Sequence, residues 1–246
     1  NTFWAILGVM VGAWAPVVVG AFALRGNREH ATRPQDHDHT VGALWRETLQ
    51  NSLALFGYFA LSNADALVAR SSMDHHEAGL YAAGLIMTKA VLFMPQFIVV
   101  IAFPSLGSSD RPLATLFKAL IAVLGIGVVM AVAAKVLSGI ALIFCGGPKY
   151  GAIEDSLWKF AILGALLALI QLLVYGLIAR RSRFSIYLLW VALGALVFFG
   201  QQADTFTDMV HTVIAINSVL LLFLLVLSVR GFRKQQNSPE AAVTIQ

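Results

Sequence analysis

Residues 156–179 read SLWKFAILGALLALIQLLVYGLIA, and after Lys159 the twenty positions from Phe160 to Ala179 hold no charged residue. A transmembrane α-helix needs about 20 consecutive apolar residues to cross a hydrocarbon core of about 30 Å. A helix that is apolar on every side belongs inside a bundle or a bilayer. Working outward, six more stretches share this character, at roughly 3–24, 44–69, 78–106, 113–144, 184–200 and 209–229. The expected fold class is therefore an all-α polytopic membrane protein with seven transmembrane helices. The sixth segment is the shortest, and 113–144 is long enough to tilt or to project past the bilayer.

Composition agrees. Hydrophobic residues make up 59% of the 246-residue chain and charged residues 12%, against about 25% charged in an ordinary soluble domain. The formal charge of +4 does not point to nucleic acid, because basic stripes interleaved with aromatics on a soluble face are missing. The single cysteine, Cys145, rules out an intrachain disulfide framework or a CxxC metal site. The first apolar run, Phe3 to Leu24, is too long for a signal-peptide core and lacks a charged leader or a clear A-x-A site. With Asn rather than Met at position 1, it reads as a true span in a chain that continues upstream.

Arg33-Pro34, Ser72 to Glu77, Asp110-Arg111-Pro112, Gly146-Gly147-Pro148, Arg180 to Arg183 and Gln201 to Asp208 punctuate the spans. The one long linker is 25–43, RGNREHATRPQDHDHTVGA. Alternate loops divide the basic residues unevenly: twelve of the seventeen Lys and Arg fall on one side and three on the other, with Lys89 and Lys135 inside spans. The basic side is expected to face the cytoplasm together with the C-terminus. Cys145 then falls at the outer end of the fourth span, where an impermeant thiol reagent is expected to reach it unless the site is occluded.

The membrane segments hold informative polar residues. Glu47, Asn51, Tyr58, Ser62 and Asp65 recur at spacings of 4, 7, 4 and 3 and so share one helix face. Hydrocarbon does not tolerate such a stripe, so it either walls a water-filled cavity or bonds to neighbouring helices. Lys89 lies near the middle of the third span with Gln96 two turns on. A central Lys costs about 2.5–3.5 kcal/mol on insertion scales, while each Leu, Ile, Phe or Val returns about 0.3–0.6 kcal/mol. The helix still inserts, turning Lys89 toward protein or water, and the ammonium serves either as a carboxylate's partner or as an anion contact. Lys135 is a second intramembrane cation, closer to the outer surface, where snorkelling also accounts for it. Pro95 is expected to kink its span, and Gly125 and Gly127 to mark a close helix contact or a point of motion. His30, His37 and His39 lie in the linker, and Asp74-His75-His76-Glu77 reads as an external turn; neither group has metal-ligand spacing. No nucleophile elbow, P-loop or HExxH motif occurs, so no catalytic set, metal site or cofactor is expected.

The stretch Asn63-Ala64-Asp65-Ala66-Leu67-Val68-Ala69-Arg70, then Glu77-Ala78-Gly79-Leu80-Tyr81-Ala82-Ala83, then Phe103-Pro104-Ser105, resembles the seventh and eighth helices of polysaccharide flippases. These belong to the multidrug/oligosaccharidyl-lipid/polysaccharide exporter superfamily. Gly147-Pro148-Lys149-Tyr150-Gly151-Ala152 is similar to a second turn of that family. The likeness covers about 44–180; the last two spans match only by layout.

The resemblance implies two six-helix lobes joined by a cytoplasmic linker. Residues 1–24 would end the first lobe, 25–43 would connect the lobes, 44–230 would be the second lobe and 231–246 a cytoplasmic tail, the rest of the first lobe being a missing partner. It also implies a plasma-membrane protein of bacteria that flips a polyprenyl-diphosphate-linked saccharide outward by alternating access. On that reading Lys89 contacts the pyrophosphate, with Lys135 second, while Gln96, Asn51 and Tyr58 line the path and Asp65 titrates as a coupling carboxylate or neutralises Lys89. A multidrug exporter of the same superfamily is the alternative, wanting acidic and aromatic cavity residues for cations. An intramembrane glycan-processing enzyme would draw on Asp74, Glu77, Glu154 or Asp155, and a non-transporting scaffold would need none of these.

Overall fold

A computed structural model describes residues 41–97, 112–178 and 184–236, with isolated helical positions at 8, 12, 14, 18 and 19. Most of the expected first span and linker, and the stretch around Phe103-Pro104-Ser105, lie outside the described residues. Among the described residues the protein is all-helical and contains no strand. The elements are α1 Val41–Ser72, α2 His75–Phe93, α3 Pro112–Val136, α4 Ser138–Phe144, a 3-10 turn Pro148–Ser156, α5 Leu157–Ile178, α6 Phe184–Gly200 and α7 Phe206–Gln236. Residues 1–44 and 45–246 form two units. Within the second unit, four segments are long and apolar enough to cross a membrane: Thr48–Ser72, Leu113–Val136, Pro148–Ile178 and Phe206–Gly231. A shorter apolar helix covers Ile186–Gly200. These describe a membrane-embedded helical protein.

The charge-free α5 is the core. It packs against α2, α3 and α7, and sixteen of its 22 residues are buried, from Leu157 to Leu177. The close approach to α2 depends on missing side chains. The Phe160 ring lies over Gly84, where a Cβ would collide with it, and Gly164 faces the Thr88 carbonyl with no room for one. At the same seam the Thr88 hydroxyl donates to the Phe160 carbonyl at 2.9 Å. Gly127 of α3 lies against Ala165 of α5, whereas Gly125 meets nothing within 4 Å. Of the two glycines expected to mark a contact, only Gly127 does.

Three local features depart from the expectations. The helix of 78–106 begins earlier, at His75. Asp74 caps it by accepting the N–H groups of His76 and Glu77, and these two donors hold the Asp74 carboxyl below the usual range. The expected external turn Asp74 to Glu77 is therefore mostly the first turn of α2. Met94-Pro95 interrupts the helix after Phe93, as a residue without an N–H should. The expected 113–144 span is not straight, because Leu137 leaves helical dihedrals (φ −108°, ψ 37°). Backbone bonds bridge the kink, Leu137 N–H to Ala133 O at 2.8 Å and Ala141 N–H to Leu137 O at 2.9 Å. Ser138 then ties α4 to the 3-10 turn by donating to Glu154 Oε1 at 2.9 Å. The chain reverses at Gly146 and Gly147, whose φ values of 117° and 80° favour glycine. Cys145, in that reversal, is buried, and burial pushes its thiol pKa up. The side chain is occluded, so the exception made for thiol access applies and Cys145 itself is not expected to react.

The α2–α5 seam yields a stability prediction. Gly164→Val should force the two helices apart and destabilise the protein by about 1–3 kcal/mol or more. Gly125→Val, into open space, should cost far less. Thermal unfolding of the detergent-solubilised protein measures both, and equal losses would contradict the packing.

Candidate functional site

The polar stripe of α1 turns inward and its members bond to other helices. Tyr58 is buried, and its hydroxyl donates to the Leu167 carbonyl of α5 at 3.2 Å and lies 3.5 Å from Gln171 Oε1. Gln171 Nε2 continues the chain to the Tyr175 hydroxyl at 3.1 Å. Four residues along the same face from Tyr58, Ser62 is buried and its hydroxyl folds back to the Phe59 carbonyl. Asp65, only 1% exposed, accepts the Tyr81 hydroxyl at 3.0 Å and the Ala66 N–H at 2.8 Å. Tyr58, Ser62 and Asp65 are thus packed between helices and do not form an open cavity wall. Asn51 is half-buried with no hydrogen-bond partner among the described residues. The side chain of Glu47 lies outside the described residues.

Lys89 crosses to α1 at a different level from Asp65. Its ammonium donates to the Ser62 carbonyl and to Asn63 Oδ1 at 3.0 Å. Asn63 is anchored in turn, with Nδ2 donating to the Phe59 carbonyl at 2.7 Å and to Ser62 Oγ at 3.1 Å. Lys89 stays within electrostatic range of Asp65 without being hydrogen-bonded to it. An ammonium carries three donors, and among the described residues two of them are engaged. Lys89 is half-buried, Asn63 beside it is exposed, and the pair forms the most accessible part of the polar cluster. Seven residues on, past the Met94-Pro95 break, Gln96 is half-buried and its Oε1 is buried without a partner among the described residues. That orphan acceptor can take a hydrogen bond from a hydroxyl.

Lys135 belongs elsewhere. It lines a furrow between α3 and α5 whose walls include none of the residues just described. The structure brings together Lys89, Ser62, Asn63, Asp65 and Tyr81, and separately Tyr58, Gln171 and Tyr175. Asn63, Tyr81 and Gln171 were not among the expected site residues. Gln171 could have been found as the sole amide in the charge-free run. Tyr81 lies in the Glu77 to Ala83 stretch and Asn63 opens the Asn63 to Arg70 stretch, so both had a signal in the family resemblance, though Asn63 sits off the i, i+4 stripe.

No family model, curated protein or solved structure matches the chain.

The Asp65–Tyr81 bond predicts a specific mutational pattern. Tyr81→Phe removes a donor from a buried carboxylate and should cost about 1–3 kcal/mol of stability. Replacing both partners, with Asp65→Leu and Tyr81→Phe together, should recover part of that loss. Thermal unfolding in detergent tests this, and a double variant less stable than Tyr81→Phe alone would argue against the pairing.

Proposed function

We propose that the chain forms part of a transporter that flips a polyprenyl-diphosphate-linked saccharide across the bacterial plasma membrane by alternating access. The observation that carries this reading is Lys89, a half-buried membrane cation steadied by Ser62 and Asn63, with one donor unengaged and no ion pair among the described residues. A pyrophosphate moving through a membrane protein needs such a charge, because an anion leaving water must be met by fixed donors and opposite charge. The Gln96 acceptor, past the Met94-Pro95 break, suits a saccharide hydroxyl. The resemblance of Asn63 to Arg70 and Glu77 to Ala83 to polysaccharide flippases supports the same substrate class. Asp65 is the coupling carboxylate in this scheme: its charge biases Lys89 through space, and protonation would remove that bias. A drug exporter for organic cations fits less well, since Asp65 is buried beneath Tyr81 and offers no open carboxylate.

The same reading assigns seven spans in all, with the second lobe at 44–230 and a cytoplasmic C-terminus. The twelve-to-three division of basic residues supports that orientation. Because Cys145 is buried, the orientation is tested at Lys149, which is exposed in the same loop. In a Cys145→Ser background, Lys149→Cys should react with an impermeant maleimide added to intact cells. Reaction only after the inner face is opened would reverse the topology.

The role of Lys89 is tested by flipping of a polyprenyl-diphosphate-linked saccharide in proteoliposomes. Lys89→Ala should abolish transport while membrane insertion persists, and Lys89→Arg should keep part of it, since a cation remains with different geometry. Lys89→Ala combined with Asp65→Asn separates an anion contact from a structural counter-charge. A double variant that transports normally refutes the anion contact; loss of binding of the lipid-linked pyrophosphate in a stable Lys89→Ala variant, with binding kept in Asp65→Asn alone, supports it.

A further inference from the structure

The furrow between α3 and α5 is apolar along its length and has a cation at one end. Lys135 and Trp158 lie at that end, followed by Val132, Ala131 and Val128 on α3 and by Ile162, Ala165 and Leu166 on α5. With the two helices paired antiparallel across the α4 reversal, Gly127 against Ala165 sets a register that puts Lys135 level with Trp158 and Leu124 level with Leu169. The furrow therefore runs along twelve residues of each helix, or about 16 Å end to end at 1.5 Å per residue. That is close to half of the roughly 30 Å hydrocarbon core, the depth of one leaflet. Its volume is about 610 Å³, and Val128, Val132 and Lys135 on its rim are exposed.

Both helices are among those long and apolar enough to span the membrane, so the furrow opens to lipid. Its polar end is placed as an interface would place it: Trp marks the headgroup level, and a Lys stem extends its charge there. Lys135 has no hydrogen bond or ion pair to any described residue. Glu154, on the turn after α4, accepts instead from Ser138. An apolar slot one leaflet deep, ending beside a Trp in a cation unpaired among the described residues, is complementary to a single lipid. We infer that the α3–α5 furrow seats one acyl chain of a membrane phospholipid whose anionic headgroup is held by Lys135. The site does not depend on the transport reading, and it assigns Lys135 to a bilayer lipid and not to a transported anion.

The test uses the full chain, purified from vesicles containing equal amounts of phosphatidylglycerol and phosphatidylcholine, with retained lipid identified by native mass spectrometry. The wild-type chain should retain phosphatidylglycerol preferentially. Lys135→Gln should lower that preference about fivefold, the worth of one basic side chain at an anionic surface. Lys149→Gln, which removes an exposed cation outside the furrow, should leave it unchanged. Val128→Trp should fill the slot and reduce retention of both lipids while Lys135 remains. Brominated phosphatidylglycerol should also quench a variant keeping Trp158 as its only tryptophan, and Lys135→Gln should weaken that quenching. Equal retention of the two lipids by the wild type, or an unchanged preference in Lys135→Gln, overturns the inference. So does bound lipid unaffected by Val128→Trp.

Discussion

Thr88 on α2 donates its hydroxyl to the Phe160 carbonyl on α5 at a point where each helix has given up a side chain, at Gly84 and Gly164. Helices in a membrane gain little from burying apolar surface against one another, because lipid is just as apolar. They associate through close packing and interhelical hydrogen bonds, using small residues to bring backbones together. The α2–α5 seam has both. It also sets the direction of what comes next in sequence: adjacent helical residues are about 100° apart. With Thr88 committed to α5, Lys89 is turned away from α5 and finds its partners on α1. The position of the deepest cation thus follows from a contact made by its neighbour.

The same logic explains why α5 is the centre. A helix with no polar face gains nothing from an interfacial position, and this one is surrounded by α2, α3 and α7, with Tyr58 of α1 reaching its Leu167 carbonyl. By contrast, α3 and α7 keep exposed apolar side chains such as Val129 and Phe223. For those surfaces the solvent is hydrocarbon, and exposure carries no penalty. One central helix and several half-covered ones give the polar groups of α1 and α2 a dry setting. There, an unpaired charge is expensive and a satisfied one is held firmly.

How much of this was legible in the sequence differs by scale. The charge-free run 160–179 located the core helix, and Pro95 located the break in α2, because each acts through the backbone of its own segment. The polar stripe of α1 was visible from spacing alone, yet spacing does not say what the stripe faces. Its partners, Leu167, Gln171 and Tyr81, come from helices far away in sequence, and only packing joins them. The kink at Leu137 was invisible because apolar residues continue through it unchanged. What bends the chain is local geometry and the Ser138–Glu154 bond beyond it. The occlusion of Cys145 was hidden for the same reason, since it lies in a reversal set by Gly146 and Gly147 together with the 3-10 turn after them.

Lys89 and Lys135 illustrate how context gives one residue type two different settings. Insertion energetics penalises both and distinguishes them only by depth. Lys89 has its ammonium fixed by a carbonyl and an amide, with a carboxylate close enough to act through space but not to neutralise it directly. Lys135 has no partner among the described residues and lies at the end of an apolar slot beside Trp158. A cation held in protein is preorganised, so an incoming anion loses less to ordering it. A cation on a free stem at the membrane surface meets whatever the bilayer presents, and bilayers present phosphate. Fixation by neighbours thus sets Lys89 apart from Lys135, and on the readings proposed above it would suit Lys89 to a transient ligand and Lys135 to a resident one.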